Sequence, residues 1–255
     1  MAVIFSPKGV LRGDRSGEAC FTTLLVGRTL PATWPHHARR LQRDAGLLGL
    51  QAPDIDTLTA HLLQLAGTQL QRVRIELVAH GGAPQYEPPH ATAVRIQSTD
   101  MAGLQVLSEP VTLQTLPSSK TPHAPLAACK LPQMAEHWLL RRQAQAAGFG
   151  DALLTTAAGL WCEATTANLL IGLENDTIVT PGPRAAALPG TTLAALAEQL
   201  PIVPWDTDHN TPIQWMLLLN AIWGARPVAA IDGRTLAEPP AAIVTLARRL
   251  TRPPS

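Results

Sequence analysis

The chain has 255 residues and a formal net charge of +1, from 20 Lys+Arg against 19 Asp+Glu, so no basic surplus exists to neutralise a phosphate backbone and nucleic acid is excluded as a principal partner. Its 46% hydrophobic content supplies one large or two modest cores, which excludes a disordered or fibrous chain. No apolar run approaches the roughly 18 residues of a membrane span, and Cys20, Cys129 and Cys162 form neither a CxxC pair nor a disulfide framework, so a soluble protein of the reducing cytoplasm is expected.

In chain order, the spacing predicts a helix over 35–50, with Ala38, Leu41, Ala45 and Leu48 on one stripe and Arg39, Arg43 and Asp44 off it. A second helix is expected over 54–65, with Asp54 as its N-cap. Strands follow over 73–79, 92–97 and 104–107, where β-branched residues alternate with polar ones. The turn formers of 116–125 then mark a linker. The expected organisation is a smaller α/β domain over 1–115, the linker, and a larger domain over 126–255. In the second half a helix is expected over 132–147 and short strands over 152–155 and 168–171. Pro189-Gly190-Thr191-Thr192 opens a helix to about residue 200, buried strands cover 216–219 and 227–231, and a closing helix covers 239–250. The fold class is mixed α/β.

Only three lysines occur, Lys8, Lys120 and Lys130; every other basic residue is arginine. A lysine that survives in such a chain is a candidate for amine chemistry. Lys130 ends the largely apolar segment 124–130, where desolvation would free its amine for a Schiff base; a surface lysine snorkelling off a loop is the bland alternative. Gly190-Thr191-Thr192 offers backbone N–H groups and two hydroxyls at a helix N-terminus, which suits a phosphate but also describes an ordinary cap. Glu163 sits among small and apolar residues and needs a partner, either an arginine or a protonated ring nitrogen. Arg40 neighbours the apolar stripe of the first helix and points inward, to clamp an anion or to pair with an acidic side chain. An amine, a carboxylate, an arginine and a helix N-terminus together meet the needs of pyridoxal phosphate. No HExxH, HxxxH or GxSxG supports a metal or a triad.

These residues resemble the class IV (fold-type IV) pyridoxal-phosphate enzymes, which include branched-chain and D-amino acid aminotransferases and 4-amino-4-deoxychorismate lyase. Residues 17–23, Gly-Glu-Ala-Cys-Phe-Thr-Thr, are similar to the family's GDGxFxT, and His37-Ala-Arg-Arg-Leu41 to its HxxRL. Lys130 with Glu136 resembles the lyase segment KxLNRLE, and Cys162-Glu163 through Asn168-Leu-Leu170 resembles xExxxANLF. The 33 residues from Lys130 to Glu163 match that alignment, whereas Lys120 would need ten more. Residues 177–181 are similar to the family's strand ending in TP, and 188–192 to its phosphate cup. Residues 218–228 resemble the lyase-type TNSLxGIRPV more than the aminotransferase-type SGTAAEITPV.

The resemblance implies a two-domain architecture like D-amino acid aminotransferase, with the cofactor between domains, and a homodimer. It implies Lys130 as the Schiff-base lysine and general base, and Arg40, Gly190, Thr191, Thr192, Asn220 and Ala221 around the cofactor phosphate. Glu163 would face the pyridine nitrogen, and Arg226, Tyr86 and Thr23 the substrate. The implied activity is an aminodeoxychorismate lyase that yields p-aminobenzoate and pyruvate for folate synthesis. The alternatives are an aminotransferase for branched-chain or D-amino acids, and a fold that has lost activity and serves as a binding partner.

Overall fold

The computed structural model describes the backbone of residues 3–4 and residues 11–67, 69–82, 87–101, 108–122 and 124–254. The strand expected over 104–107 lies outside the described residues. The chain divides into two compact units, one of Met1–Gln105, Cys129–Gln133 and Thr251–Ser255, the other of Val106–Ala128 and Met134–Leu250.

The first unit runs β1 (Val3–Ile4), α1 (Arg12–Ser16), β2 (Ala19–Val26), α2 (Trp34–Leu47), α3 (Ile55–Ala66), β3 (Gln71–His80) and β4 (Ala91–Asp100). Its sheet has the order β1-β4-β3-β2, with the β2-β3-β4 ladder antiparallel and β1 added parallel to β4. Asp54 caps α3 as expected, its carboxylate accepting the Thr57 N–H at 2.8 Å. Leu41 and Ala45 of α2, Leu58 and Leu62 of α3, and Leu24, Val73, Ile75 and Leu77 of the sheet close one core. On α2, Arg40 is buried while Arg39 and Arg43 are exposed, as the stripe predicts. Asp44 corrects the expectation: placed off the stripe, it is buried, because its carboxylate is used by the chain around residue 130.

The second unit contains β5 (Val111–Pro117), α4 (Ala135–Ala146), β6 (Asp151–Thr155), β7 (Trp161–Ala164), β8 (Asn168–Leu173), β9 (Ile178–Pro181), α5 (Thr191–Ala197), β10 (Ile202–Trp205), β11 (Ile213–Asn220), β12 (Gly224–Ile231), β13 (Arg234–Thr235) and α6 (Ala241–Thr251). One sheet carries all the strands, in the order β10-β9-β8-β11-β12-β5-β6-β7 with β13 beside β12. Mixed pairing follows from the connections: hairpins join β6 to β7 and β11 to β12, whereas β5 reaches its parallel neighbour β6 by way of α4. The stretch read as a linker begins inside β5, and residues 118–119 are tied back onto this unit. The helix α5 stops at Ala197, three residues short of the expected end. Two apolar layers cover the sheet, one built on Leu153, Leu169, Met216 and Leu218, the other on Leu170, Leu217, Leu219 and the α6 residues Ala247 and Leu250. Strand alternation sends successive residues of β8 and β11 to opposite layers.

Candidate active site

In the first unit the site is built where β2 passes beneath α2. Alternation turns Cys20, Thr22 and Leu24 toward the helices and leaves Phe21 and Thr23 on the other face. The Thr22 hydroxyl accepts an N–H from Arg40 Nη2 at 2.6 Å and lies 2.6 Å from His37 Nδ1. His37 Nε2 and Arg40 Nε are both buried and make no hydrogen bond among the described residues. Burial lowers Arg40 to about 10, against the pull of Asp44. Burial and the charges of Arg40, His36 and Lys130 hold the His37 imidazole well below the usual histidine range.

Lys130 is clamped through its backbone. Its N–H donates to the Asp44 carboxylate at 2.9 Å, and its carbonyl accepts the Phe21 N–H at 3.0 Å. Its Nζ lies 4.8 Å from the centre of the Phe21 ring, against which the Arg74 guanidinium also packs at 3.6 Å. Such contacts with a ring face stabilise by roughly 0.5–2 kcal/mol each. Asp44 thus ties Lys130 to α2 one turn beyond Arg40, bringing these two expected site residues onto one framework. Thr23 is half-buried directly across from Arg74, and Tyr86 lies outside the described residues. Burial raises the Cys20 thiol, and the Cys129 thiol to about 12; both stay protonated and pack.

In the second unit Glu163 stands on β7 opposite Leu154 and is 7% exposed. Its Oε2 accepts the Leu188 N–H at 3.0 Å, and its Oε1 forms an ion pair with Lys120 Nζ and lies 3.7 Å from His137 Nε2. Burial alone would raise this carboxyl; the donors His137, Lys120 and Leu188 outweigh burial and bring it down to about 2. Within the chain the carboxylate is met by Lys120, the lysine set aside on spacing, and not by an arginine. Lys120 is held in place by its neighbours. Ser118 donates from N and Oγ to the Thr155 carbonyl at 2.9 Å, and Ser119 donates from N and Oγ to the Glu136 carboxylate at 2.6 and 2.7 Å.

Leu188 links Glu163 to the Gly190 turn. Its carbonyl accepts from Asn168 Nδ2 at 2.6 Å, and a Cβ at position 190 would lie 1.9 Å from Asn168 Oδ1. Only glycine allows that approach. Thr191 and Thr192 open α5, both buried, and Thr192 Oγ1 has no hydrogen-bond partner among the described residues. Asn220 ends β11 and shapes the turn into β12: its Nδ2 donates to the Thr166 carbonyl and its Oδ1 accepts the Ile222 N–H, both at 2.7 Å. Ala221 follows in that turn, half-buried. Arg226, on β12, donates from Nε to the Glu109 carbonyl at 2.7 Å. Thr22, His37, Asp44, Lys120, His137 and Leu188 were not predicted as site residues. Asp44 had a signal, lying four residues after Arg40 on the same helix face, and Lys120 shared the scarcity that singled out Lys130.

Comparison with known proteins bears on these two arrangements. No curated protein matches the chain. Among solved structures, it is similar to a candidate 4-amino-4-deoxychorismate lyase of Legionella pneumophila subsp. pneumophila str. Philadelphia 1, with 23% identity, 94% of this chain and 93% of that one covered, and a TM-score of 0.84. It is similar to a hypothetical aminotransferase of Mycobacterium tuberculosis in its PLP-bound form, with 20% identity, 97% and 92% covered and a TM-score of 0.80. It is also similar to the branched-chain amino acid aminotransferase of Escherichia coli, with 16% identity, 92% and 85% covered and a TM-score of 0.77. At these identities the likeness establishes the fold, the mixed α/β architecture of fold-type IV. The family model for amino-transferase class IV matches residues 19–231, from the first residue of β2 to the last of β12, and the chain belongs to that family.

Proposed function

We propose that this class IV enzyme, whose cofactor is pyridoxal phosphate, converts 4-amino-4-deoxychorismate into p-aminobenzoate and pyruvate, with Lys130 as the lysine that bonds the cofactor. Each unit holds residues that suit a charged group of the cofactor. Among the described residues, Arg40 Nε in the first unit and Thr192 Oγ1 in the second are buried polar atoms that make no hydrogen bond, and each on its own suits a phosphate oxygen. Glu163, ionised to about pH 2, suits a protonated ring nitrogen. Gly190, Thr191, Asn220 and Ala221 complete the expected cofactor surroundings.

When bound, the cofactor supplies an aldehyde that condenses with amines and a ring that takes up electrons from a broken bond. Its ring nitrogen and aldehyde carbon lie para, at opposite ends of the ring. An amine in contact with Glu163, as Lys120 is, therefore cannot also serve the aldehyde, which supports Lys130. Asp44 and Phe21 hold the Lys130 backbone at both of its polar groups, so the amine swings on its side chain alone. With its amine free, Lys130 Nζ would take the proton from the substrate ring carbon that bears the amino group. The neighbouring carbon–oxygen bond then breaks, the enol of pyruvate leaves and takes up a proton, and the ring becomes aromatic.

The observation that carries the lyase over the aminotransferase is the β11–β12 turn. Asn220 uses its amide to bind Thr166 and Ile222, Ala221 brings no hydroxyl, and half-buried Arg226 offers a cation to a substrate with two carboxylates. The family description and the branched-chain relative favour the second reading, an aminotransferase. We carry the cytoplasmic homodimer into the same proposal.

The test is p-aminobenzoate release from 4-amino-4-deoxychorismate by the cofactor-loaded protein. Lys130→Ala is expected to lose both product and the visible absorbance of the bound cofactor. Retained absorbance in that variant would refute the lysine assignment. No product, with amino groups exchanged between amino and keto acids, would establish the aminotransferase instead.

A further inference from the structure

Glu163 already has a backbone donor. The Leu188 N–H fixes Oε2 at 3.0 Å, and a carboxylate has about four lone-pair sites, so a ring nitrogen would need only one of the remainder. Yet Oε1 is also engaged by Lys120, in a buried pair whose side chains are 15% and 9% exposed. The groups facing this carboxylate are Lys120 from residues 118–120, His137 from α4, the Leu188 N–H, and the adjacent Cys162 thiol, which burial keeps protonated by raising it to about 12. His137 Nε2 stands farther off, at 3.7 Å, so the nearer of the two side chains on Oε1 is Lys120. It is also a built contact: Ser118 anchors the segment to β6 and Ser119 anchors it to Glu136 on α4.

We infer that Lys120 is a positioning residue for Glu163, holding it as an aimed carboxylate and weakening its pull on a proton, so that Lys120 sets how firmly the cofactor's ring nitrogen is kept protonated. The inference rests on the reading that Glu163 faces that nitrogen. A compact ammonium on one oxygen does this without capping the other. Oε2 retains a lone pair beyond the one given to Leu188, which leaves an acceptor for the ring. Removing the cation would make Glu163 a stronger base, which binds the ring nitrogen well at neutral pH but is itself protonated sooner as pH falls.

Two measurements on the full chain test this in the wild type, Lys120→Met and Lys120→Arg. Without added cofactor, urea unfolding from pH 2 to 8 reads the titration of Glu163. Pyridoxal phosphate affinity over pH 3 to 8.5, by absorbance titration, reads the same carboxylate from the cofactor's side, and the cofactor's own ionisations are common to all three proteins. In Lys120→Met the folded value of Glu163 is expected to rise toward the unfolded one, so the stability gained between pH 2 and 7 shrinks and the acid limb of the affinity profile moves up by about one pH unit or more, while Lys120→Arg keeps the wild-type limb. A uniform loss of affinity at every pH would show a merely structural lysine and overturn the inference. If the stability profile moves but the affinity profile does not, Lys120 governs Glu163 while Glu163 does not face the ring, which overturns the site reading on which the inference rests. Should Lys120→Met not fold, Lys120→Gln carries the same expectation.

Discussion

Glu163→Gln isolates what the buried carboxylate contributes to stability, because glutamine keeps the shape and the Leu188 contact while deleting the charge. The carboxyl titrates at about 2 in the fold against 4.5 ordinarily. Because the folded value is the lower one, the stabilisation is fully present above the unfolded value and is lost as pH falls through 4.5 toward 2. About 2.5 units correspond to about 3 kcal/mol at pH 7. At pH 3 less than half of this remains, and near pH 2 little of it. The variant is therefore expected to be destabilised by about 3 kcal/mol at pH 7, in line with breaking a buried pair by removing one partner, and to approach the wild type as pH falls. Urea unfolding followed by tryptophan fluorescence reads this directly, since the chain has six tryptophans. A loss that is the same at pH 7 and pH 3, or below about 0.5 kcal/mol at pH 7, would refute the account. The double variant with Lys120→Met gives the coupling, and additivity there would show that the two groups do not interact in solution.

Two further substitutions test the frame around the site. Asp44→Ala removes the acceptor of the Lys130 N–H and is expected to cost about 2 kcal/mol in unfolding experiments while loosening pyridoxal phosphate. Unchanged cofactor affinity would mean that Lys130 is held without it. Gly224→Ala places a Cβ 2.6 Å from the backbone of Arg248, at a residue with φ of +76°. Left-handed strain plus overpacking predicts a loss of about 3 kcal/mol, measured by thermal unfolding, and a neutral result would show that α6 shifts freely against β12.

What the sequence made legible was what periodicity carries. The apolar stripe of α2 already placed Arg40 inside and Arg39 and Arg43 outside, because a helix repeats its faces over a few neighbouring residues. The Asp54 cap was legible for the same reason: its partner, Thr57, is three residues away. The strands β2, β5 and β7 were missed as strands. In β2 and β7 nearly every residue is buried, which erases the alternation, and β5 ends among the prolines that suggested a linker. Asp44 was misplaced by the same helical pattern that served Arg40, since its burial answers to a segment 86 residues later in the chain.

The two lysines at issue show where spacing stops being informative. Scarcity marked both, and alignment distance favoured Lys130 and set Lys120 aside, but distance along the chain speaks only to which lysine matches a motif. The role of Lys120 depends on a meeting of residues 118–120, β7 and α4 that no local pattern encodes. Its chemistry nonetheless explains why lysine persists at that position in a chain that elsewhere uses arginine. A guanidinium favours a bidentate grip on both carboxylate oxygens, and here one oxygen is taken by Leu188 and must keep room for a further donor. An ammonium on a flexible stem engages Oε1 alone. On the proposed function, Lys130 and Lys120 answer different demands, a reactive amine beside the Phe21 ring and a single positive charge beside Glu163, and arginine would serve neither as well.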